Sequence, residues 1–477
     1  MQKAKKLLGL PSLTAIVFSS MIGAGIYNIP QNMAAGASLA PTILSWIISG
    51  AGILFLVLTF KILADIRPDL NAGIYQYAQE GFGNYIGFNI AWGYWLCAAM
   101  GNVALAVMLN DSLGYFFPVL LSHNWISVLF MSSFIWIIFA IIASGVKEAA
   151  MLNLVVSIVK FASITAIIVI LTAFFKLDML SADFSDIATS TPASFGSQVR
   201  STMLVTLWCF IGVEGAVVIG ERAKRSSDIG KASILGFLLA LILYMLISIL
   251  AFGIMRQPEL ASLPNPSVAY VLESAVGRWG LLYVIGCVVI SILGGWISWT
   301  ILCVQVPFTA AQVKILPKRF LQENKKESPI FSLLISSLLM QAFILLVATA
   351  ESVYMAAIEI TGVMILPSYL FCGLYLVKIA FRGGIPLKER RHLRYYKLVG
   401  ILSSLFCLWL IYAGGLLLML ITSVAYLLGI WWYIEARREN KKPEEKIFSR
   451  LGFVAAVAII LASTVSVIIL GLGLIAW

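Results

Sequence analysis

The sequence predicts an all-α integral membrane protein with about 13 transmembrane helices, and three observations carry that prediction. Of the 477 residues, 61% are hydrophobic and only 12% are charged, with a mean hydropathy of +0.98. So few charged side chains cannot cover a water-soluble surface. Apolar runs of roughly 18 to 25 residues recur from end to end, each long enough for a helix to cross a hydrocarbon layer of about 30 Å. Lysine and arginine sit in the short loops between those runs and favour one side. That distribution also removes nucleic acid as a partner despite the formal charge of +11, because the cations form no single stripe.

Cutting at charged or Pro/Gly-rich breaks gives spans near 11–35, 40–63, 86–117, 125–145, 152–175, 198–220, 231–254, 280–306, 330–349, 353–378, 396–413, 415–434 and 451–475. The N-terminal MQKAKKLLGLPSLTAIVFSS is basic then apolar, like a signal peptide, but has no cleavage site and runs into a glycine motif, so it reads as a retained first span. The weakest division is Ala413-Gly414-Gly415; without a turn there the count is twelve. With the N-terminus in the cytoplasm, the loops after even-numbered spans carry Arg222, Lys224, Arg225 and Lys231, then Lys314 to Lys326, then Arg390 to Arg394 and Arg437 to Lys442. Only Lys176, Arg200, Arg256 and Arg278 fall outside, and Lys176 shares its loop with Asp178, Asp183 and Asp186. The positive-inside rule supports this orientation in a cell membrane, with Trp477 outside.

An internal echo links span 1, Met21-Ile22-Gly23-Ala24-Gly25, to span 6, Phe210-Ile211-Gly212-Val213-Glu214-Gly215. Glycine weakens a helix by about 1 kcal/mol relative to alanine. A helix interrupted in lipid must line a cavity where its freed backbone groups find partners. Five spans separate the echoes, so the second copy is inverted, and the chain divides into a first repeat over 1–175, a second over 198–378 and peripheral spans over 395–477. Either motif alone is equally well explained as close helix packing; their coincidence at matching positions favours two broken helices.

A broken span 1 exposes the N–H groups of Ala24, Gly25 and Ile26 at the positive end of a half-helix, a site for a carboxylate. The span 6 break exposes carbonyls near Trp208 and Ile211, which suit an ammonium group. Ionisable groups deep in spans are few, and each needs a partner or a task. Glu214 sits inside the second break, where it pairs with a cation, binds a proton, or caps freed backbone. Lys160 shares a helical face with Asn153 and Ser157; it braces the broken first helix in place of a sodium ion or snorkels to the inner surface. Glu359 is open between a cavity and a lipid- or water-facing position. Asn102 is a buried amide that bonds across helices or to a ligand. In Gly294-Gly295-Trp296-Ile297-Ser298-Trp299, an indole over a cation contributes roughly 0.5 to 2 kcal/mol, although spacing alone favours space filling or interface anchoring. The six cysteines fall inside apolar segments without metal spacing and the two histidines, His123 and His392, lie in loops, so no metal and no cofactor is expected.

The segments SSMIGAGIYNIP, GYWLCAAMGN with the later GYFFP, LWCFIGVEGA, ERAKRSSDIGKAS and GGW together resemble the amino acid, polyamine and organocation transporter superfamily, and within it the basic amino acid/polyamine antiporters. The last two bring the chain closest to arginine/ornithine exchangers, and the likeness covers nearly all of it. The resemblance implies a LeuT-like core of two inverted five-helix repeats with discontinuous first and sixth helices. It implies a substrate carboxylate on the backbone around Ala24 and Gly25, with Met21, Trp208 and Ile211 near the amino group, Asn102 touching the substrate and Trp296 stacking on its cationic chain. Trp208 is similar to a central gate, and Glu214 with Tyr94 and Tyr369 to a gate on the far side. Ala24 and Ser20 depart from the serine and asparagine that arginine exchangers often carry there, which leaves the preferred substrate open. The activity implied is exchange of cationic amino acids, arginine for ornithine or a related pair, by alternating access and without a cofactor. The rival is proton symport on the same fold, with Glu214 or Lys160 taking the proton. An intramembrane enzyme lacks a Ser-His, His-rich or paired-Asp constellation, and a channel lacks a continuous polar stripe. The expected partners are a small-molecule substrate and the lipid bilayer; the resemblance also raises a homodimer, although no segment marks a dimer face.

Overall fold

The computed structural model of the chain describes residues 9–70, 73–122, 124–145, 147–180, 194–218, 224–347, 353–440 and 445–471, among which there are helices and turns but no strand. His123, Asp183, Asp186, Arg222, Lys441, Lys442 and Trp477 lie outside the described residues, as do the side chains of Ala24, Asn153 and Ser157.

The first span is two helices. Helix α1 (Leu10–Met21) begins with Pro11 in its first turn, where proline lacks only an N–H that had no intrahelical acceptor. It stops at Met21: Ile22 has left helical geometry and Gly23 is extended. A single 3₁₀ turn, Ala24–Asn28, leads into α2 (Ile29–Gly36), whose restart is again set by a first-turn proline, Pro30. The two halves are bent by 42°. Span 6 repeats the device: α8 (Phe195–Phe210), capped by the Ser194 hydroxyl on Ser197 N–H, breaks at Ile211 and Gly212 before the short α9 (Gly215–Val218). Gly212 takes φ +104°, a region closed to residues with a Cβ, and an added Cβ would lie 2.7 Å from the Ser20 carbonyl oxygen.

Around these breaks stand α3 (Leu39–Ile66), α5 (Asn84–Gly114), α6 (Trp125–Ser144), α7 (Lys147–Ala173), α10 (Ser226–Phe252), α13 (Arg278–Gln312), α14 (Ile330–Val347) and α15 (Val353–Arg382). The chain ends in α16 (Leu393–Gly414), α17 (Leu416–Asn440) and α18 (Arg450–Gly471). Among the described residues nine helices are long and apolar enough to span, and the bent α1/α2 pair makes a tenth. Shorter apolar helices among the described residues are Ile158–Ala173 within α7, Ile330–Leu345 within α14, and Ser267–Val276. Gly415, at φ +86°, ends α16 and separates it from α17. Helix α5 is 94% buried over its most apolar window, whereas α17 and α18 are 22% and 17% buried and lie at the periphery. The site is therefore built on α5 and its neighbours, with α17 and α18 outside.

Three short helices lie in stretches that the hydropathy pattern leaves as loops: α4 (Ile74–Phe82), α11 (Gln257–Ala261) and α12 (Ser267–Val276). They are too short to cross a bilayer, so they leave no apolar run of spanning length. A ladder of hydroxyls fixes α8 against α3: Ser45 to Thr202 at 2.8 Å and Ser49 to Thr206 at 2.6 Å, with Gln198 accepting from the Ser38 N–H at 3.0 Å. In lipid, where apolar contact alone gives helices little reason to pair, such bonds set position.

Candidate functional site at the two helix breaks

The breaks face each other, and their freed acceptors are claimed by side chains from other helices. The Met21 carbonyl accepts from Tyr244 Oη at 2.7 Å, the Ile22 carbonyl from Lys160 Nζ at 3.1 Å, and the Gly212 carbonyl from Ser20 Oγ at 2.7 Å. The last four carbonyls of any helix lack intrahelical donors, and a buried one without a partner costs about 1–3 kcal/mol. Lys160 is 1% exposed, and an added Cβ at Gly295 of α13 would stand 3.0 Å from its Nζ, so the glycine makes room for the ammonium. Tyr27, within the 3₁₀ turn, is held to α7 and α13 through Ser163 at 3.1 Å and Ser291 at 3.0 Å. The donor side of the first break has the opposite character: the N–H groups of Ala24 and Gly25 open a helical turn and have no acceptor within it.

Between the breaks lies a small cavity. Met21, Gly23 and Gly25 form one wall and Trp208, Cys209 and Ile211 the other. Gly101 and Leu105 of α5, Thr361 of α15, Trp299 of α13 and Tyr244 of α10 close it. Its volume is about 40 Å³. A single water needs roughly 10–15 Å³ on this measure, so the space suits a few waters and no amino acid. The Trp208 indole is the reason: it lies directly on Gly25, and a Cβ there would sit 1.8 Å from ring atom Cζ3.

Two polar clusters lie in opposite directions along α5 from this cavity. Two turns back along α5 from Gly101, about 10 Å away, Tyr94 Oη donates to Glu214 Oε1 at 2.7 Å. Tyr369 Oη of α15 donates to Oε2 at 2.8 Å, and the Gly212 N–H reaches Oε2 at 3.2 Å. All three side chains are buried. In the other direction, about 15 Å along α5, Asp111 Oδ2 accepts from Asn265 Nδ2 at 2.8 Å. Asn28 Nδ2 donates to Asn265 Oδ1 at 2.5 Å, and Asn28 Oδ1 accepts the Ser267 N–H at 2.8 Å. This second cluster ties the 3₁₀ turn to α12 and to the end of α5.

Of the residues singled out in the sequence, Met21, Gly25, Trp208 and Ile211 line the cavity, and Ala24 lies in the backbone between two lining glycines. Asn102 does not: its Nδ2 donates to the Ala98 carbonyl at 2.7 Å and its Oδ1 accepts from Thr300 at 3.0 Å, while the neighbouring Gly101 faces the cavity. Trp296 is also elsewhere, fully buried and stacked on Phe134 at 6.1 Å. Gly294 packs on Val156 and Gly295 on Lys160, which turns that face of α13 towards α6 and α7 and brings Trp299 to the cavity instead. Glu359 is exposed on α15. Sequence reasoning did not select Tyr244, Thr361 or Trp299 as lining residues; only Trp299 carried a signal, the second indole after the paired glycines.

A family model described as amino acid permease matches residues 8–416. The chain is 42% identical over 474 residues to a putative amino-acid transporter of Clostridium perfringens, covering 98% of each chain. It is 45% identical over 445 residues to an arginine/agmatine antiporter of Chlamydia trachomatis, covering 93% of this chain and 92% of that one. The protein of the same name in Chlamydia felis is 44% identical over 475 residues, with 97% and 98% covered. Among solved structures the fold is similar to that of a substrate-bound, outward-open Na⁺-coupled sialic acid symporter, with TM-score 0.52 at 11% identity over 87% of this chain and 91% of that one.

Proposed function

This chain belongs to the amino acid permease family, and we propose that it exchanges cationic amino acids, arginine against its decarboxylation product agmatine or against ornithine, by alternating access across the cell membrane. The observation that carries the reading is the pair of facing helix breaks around a cavity that Trp208 narrows. When the indole swings away, the N–H groups at Ala24 and Gly25 receive a carboxylate and the carbonyls near Trp208 and Ile211 an ammonium. In this proposal 1–175 and 198–378 rock as inverted repeats, 395–477 stays peripheral, and the N-terminus is cytoplasmic. Trp208 occludes the substrate, and the Glu214, Tyr94 and Tyr369 cluster shuts the cytoplasmic path. Asn102 and Trp296 support the cavity wall from behind, and Trp299 is the indole that meets the substrate's cationic chain. The relatives named arginine/agmatine antiporter support arginine as one of the two substrates.

The choice of counter-substrate has a measurable sign. Arginine and ornithine each carry one net positive charge, so their exchange moves no charge. Agmatine carries two, so arginine/agmatine exchange moves one charge per cycle and feels about 2.3 kcal/mol per 100 mV of membrane potential. Proteoliposomes preloaded with arginine, ornithine, lysine, agmatine or putrescine are expected to take up labelled arginine only when a basic substrate is inside. A potential-dependent rate with agmatine inside identifies that pair. Equal exchange of neutral amino acids would overturn the cation assignment, and rapid uptake into empty vesicles would favour proton symport.

Lys160→Met keeps the apolar stem and removes the donor to the Ile22 carbonyl. The lost bond and orphaned acceptor are together worth about 1–3 kcal/mol, so counterflow is expected to fall about tenfold while the protein still purifies as a monodisperse species. Counterflow at the wild-type rate would show that the ammonium does not brace the first break.

A further inference from the structure

A second groove, remote from the central cavity, opens where three elements distant in sequence meet at the basic end of the molecule. Its apolar walls are Phe82 at the end of α4, Leu374 and Val377 on α15, and Leu451 in the first turn of α18. Two cations crown it, Lys378 and Arg382, one turn apart on α15. Lys378 is held in place: its Nζ donates to the Gly81 carbonyl at the end of α4 and lies 5.2 Å from the centre of the Phe82 ring. That bond uses one of three ammonium donors. Arg382 is exposed and has no ion-pair partner among the described residues. The neighbouring acid, Glu80, faces Arg67 at 3.5 Å, and Arg67 also grips Asp69 at 2.7 Å, holding that carboxyl below its ordinary range. The groove therefore keeps a surplus of positive charge above an apolar floor.

That combination complements one chemistry, a phosphate attached to a hydrocarbon chain. The last turn of α15 and the first turn of α18 meet at this groove, and α18 is only 17% buried over its most apolar window. Under the proposed orientation this surface is cytoplasmic, where anionic lipids reside and where basic pockets between membrane helices hold their head groups. We propose that this groove binds an anionic phospholipid of the inner leaflet, its phosphate on Arg382 and Lys378 and one acyl chain along Leu374, Val377 and Leu451. Because α4, α15 and α18 form the walls only while packed together, a bound lipid favours the arrangement described here, with the Glu214 side closed.

The test is thermal unfolding and native mass spectrometry of the full-length protein in detergent, titrated with phosphatidylglycerol or phosphatidylcholine. Phosphatidylglycerol is expected to raise the melting temperature and to remain bound; phosphatidylcholine is not. A basic residue at a membrane surface contributes roughly 1 kcal/mol towards an anionic lipid, so Arg382→Gln should weaken binding about fivefold and the double variant with Lys378→Gln about thirtyfold. Lys378 also caps α4, so Arg382→Gln alone keeps the test valid if the double variant misfolds. A Lys325→Gln/Lys326→Gln control removes the same charge from an exposed loop and should bind as wild type does. Unchanged affinity in Arg382→Gln, equal stabilisation by phosphatidylcholine, or the same stabilisation by inorganic phosphate would each overturn the proposal.

Discussion

Gly25→Ala is expected to slow exchange by about a hundredfold while leaving the protein folded. The added methyl would stand 1.8 Å from Cζ3, 2.4 Å from Cη2 and 2.9 Å from Cε3 of Trp208. Carbon atoms meet comfortably at about 3.5–4.0 Å, so the indole would have to retreat by about 2 Å. Overpacking of this depth costs up to ~3 kcal/mol, and a barrier raised by that amount slows a step about a hundredfold. The clash is with the edge of a ring beside a cavity, so the ring has somewhere to go and folding is spared. Gly212 differs in kind: its positive φ and the backbone carbonyl of Ser20 leave no escape. Counterflow with Gly25→Ala, alone and with Trp208→Leu, is the measurement. Relief of the melting-temperature shift in the double variant is expected if the ring is what the methyl meets. Full exchange by Gly25→Ala would remove the indole's seat on Gly25 from the transport cycle.

What could be read in the sequence followed from how local each signal is. The two breaks were legible because glycine acts within a few residues and its motif recurs five spans on: Gly23 and Gly25 in span 1, Gly212 in span 6. That Lys160 has a partner was legible because an ammonium in an apolar helix demands one, although nothing in the sequence named the Ile22 carbonyl. Rotation about a helix axis was not legible. Trp296 and Trp299 stand less than one turn apart, and which of them meets the cavity is decided by Val156 and Lys160 packing on Gly294 and Gly295. The direction of the Asn102 amide was hidden for the same reason; it bonds across helices to Thr300, and Gly101 lines the cavity. The cluster of Asn28, Asp111 and Asn265 joins three regions of the chain through short polar side chains, each unremarkable in its own segment.

Glu214→Ala is expected to abolish exchange and to open the molecule on the side that the cluster closes, and Glu214→Gln to do less. The carboxylate accepts from two buried tyrosine hydroxyls and from the Gly212 N–H. Truncation leaves three buried donors without an acceptor, each costing about 1–3 kcal/mol, and that penalty falls only on the closed state, because water satisfies the same groups when the path opens. A bias of about 5.5 kcal/mol is enough to turn a 99:1 population into 1:99, so even the middle of that range empties the closed state. Glutamine retains an oxygen for one hydroxyl and offers an N–H to the other, which can accept; it should keep much of the closure. Cys97 provides the readout, since it is fully buried on α5 just beyond Tyr94. Its modification by a small thiol reagent, located by mass spectrometry, should rise sharply in Glu214→Ala, moderately in Glu214→Gln, and stay low in wild type. Exchange at the wild-type rate in the alanine variant, with Cys97 still protected, would mean that the closed state draws its stability from elsewhere, leaving the Asn28, Asn265 and Asp111 cluster as the remaining polar lock on the cycle.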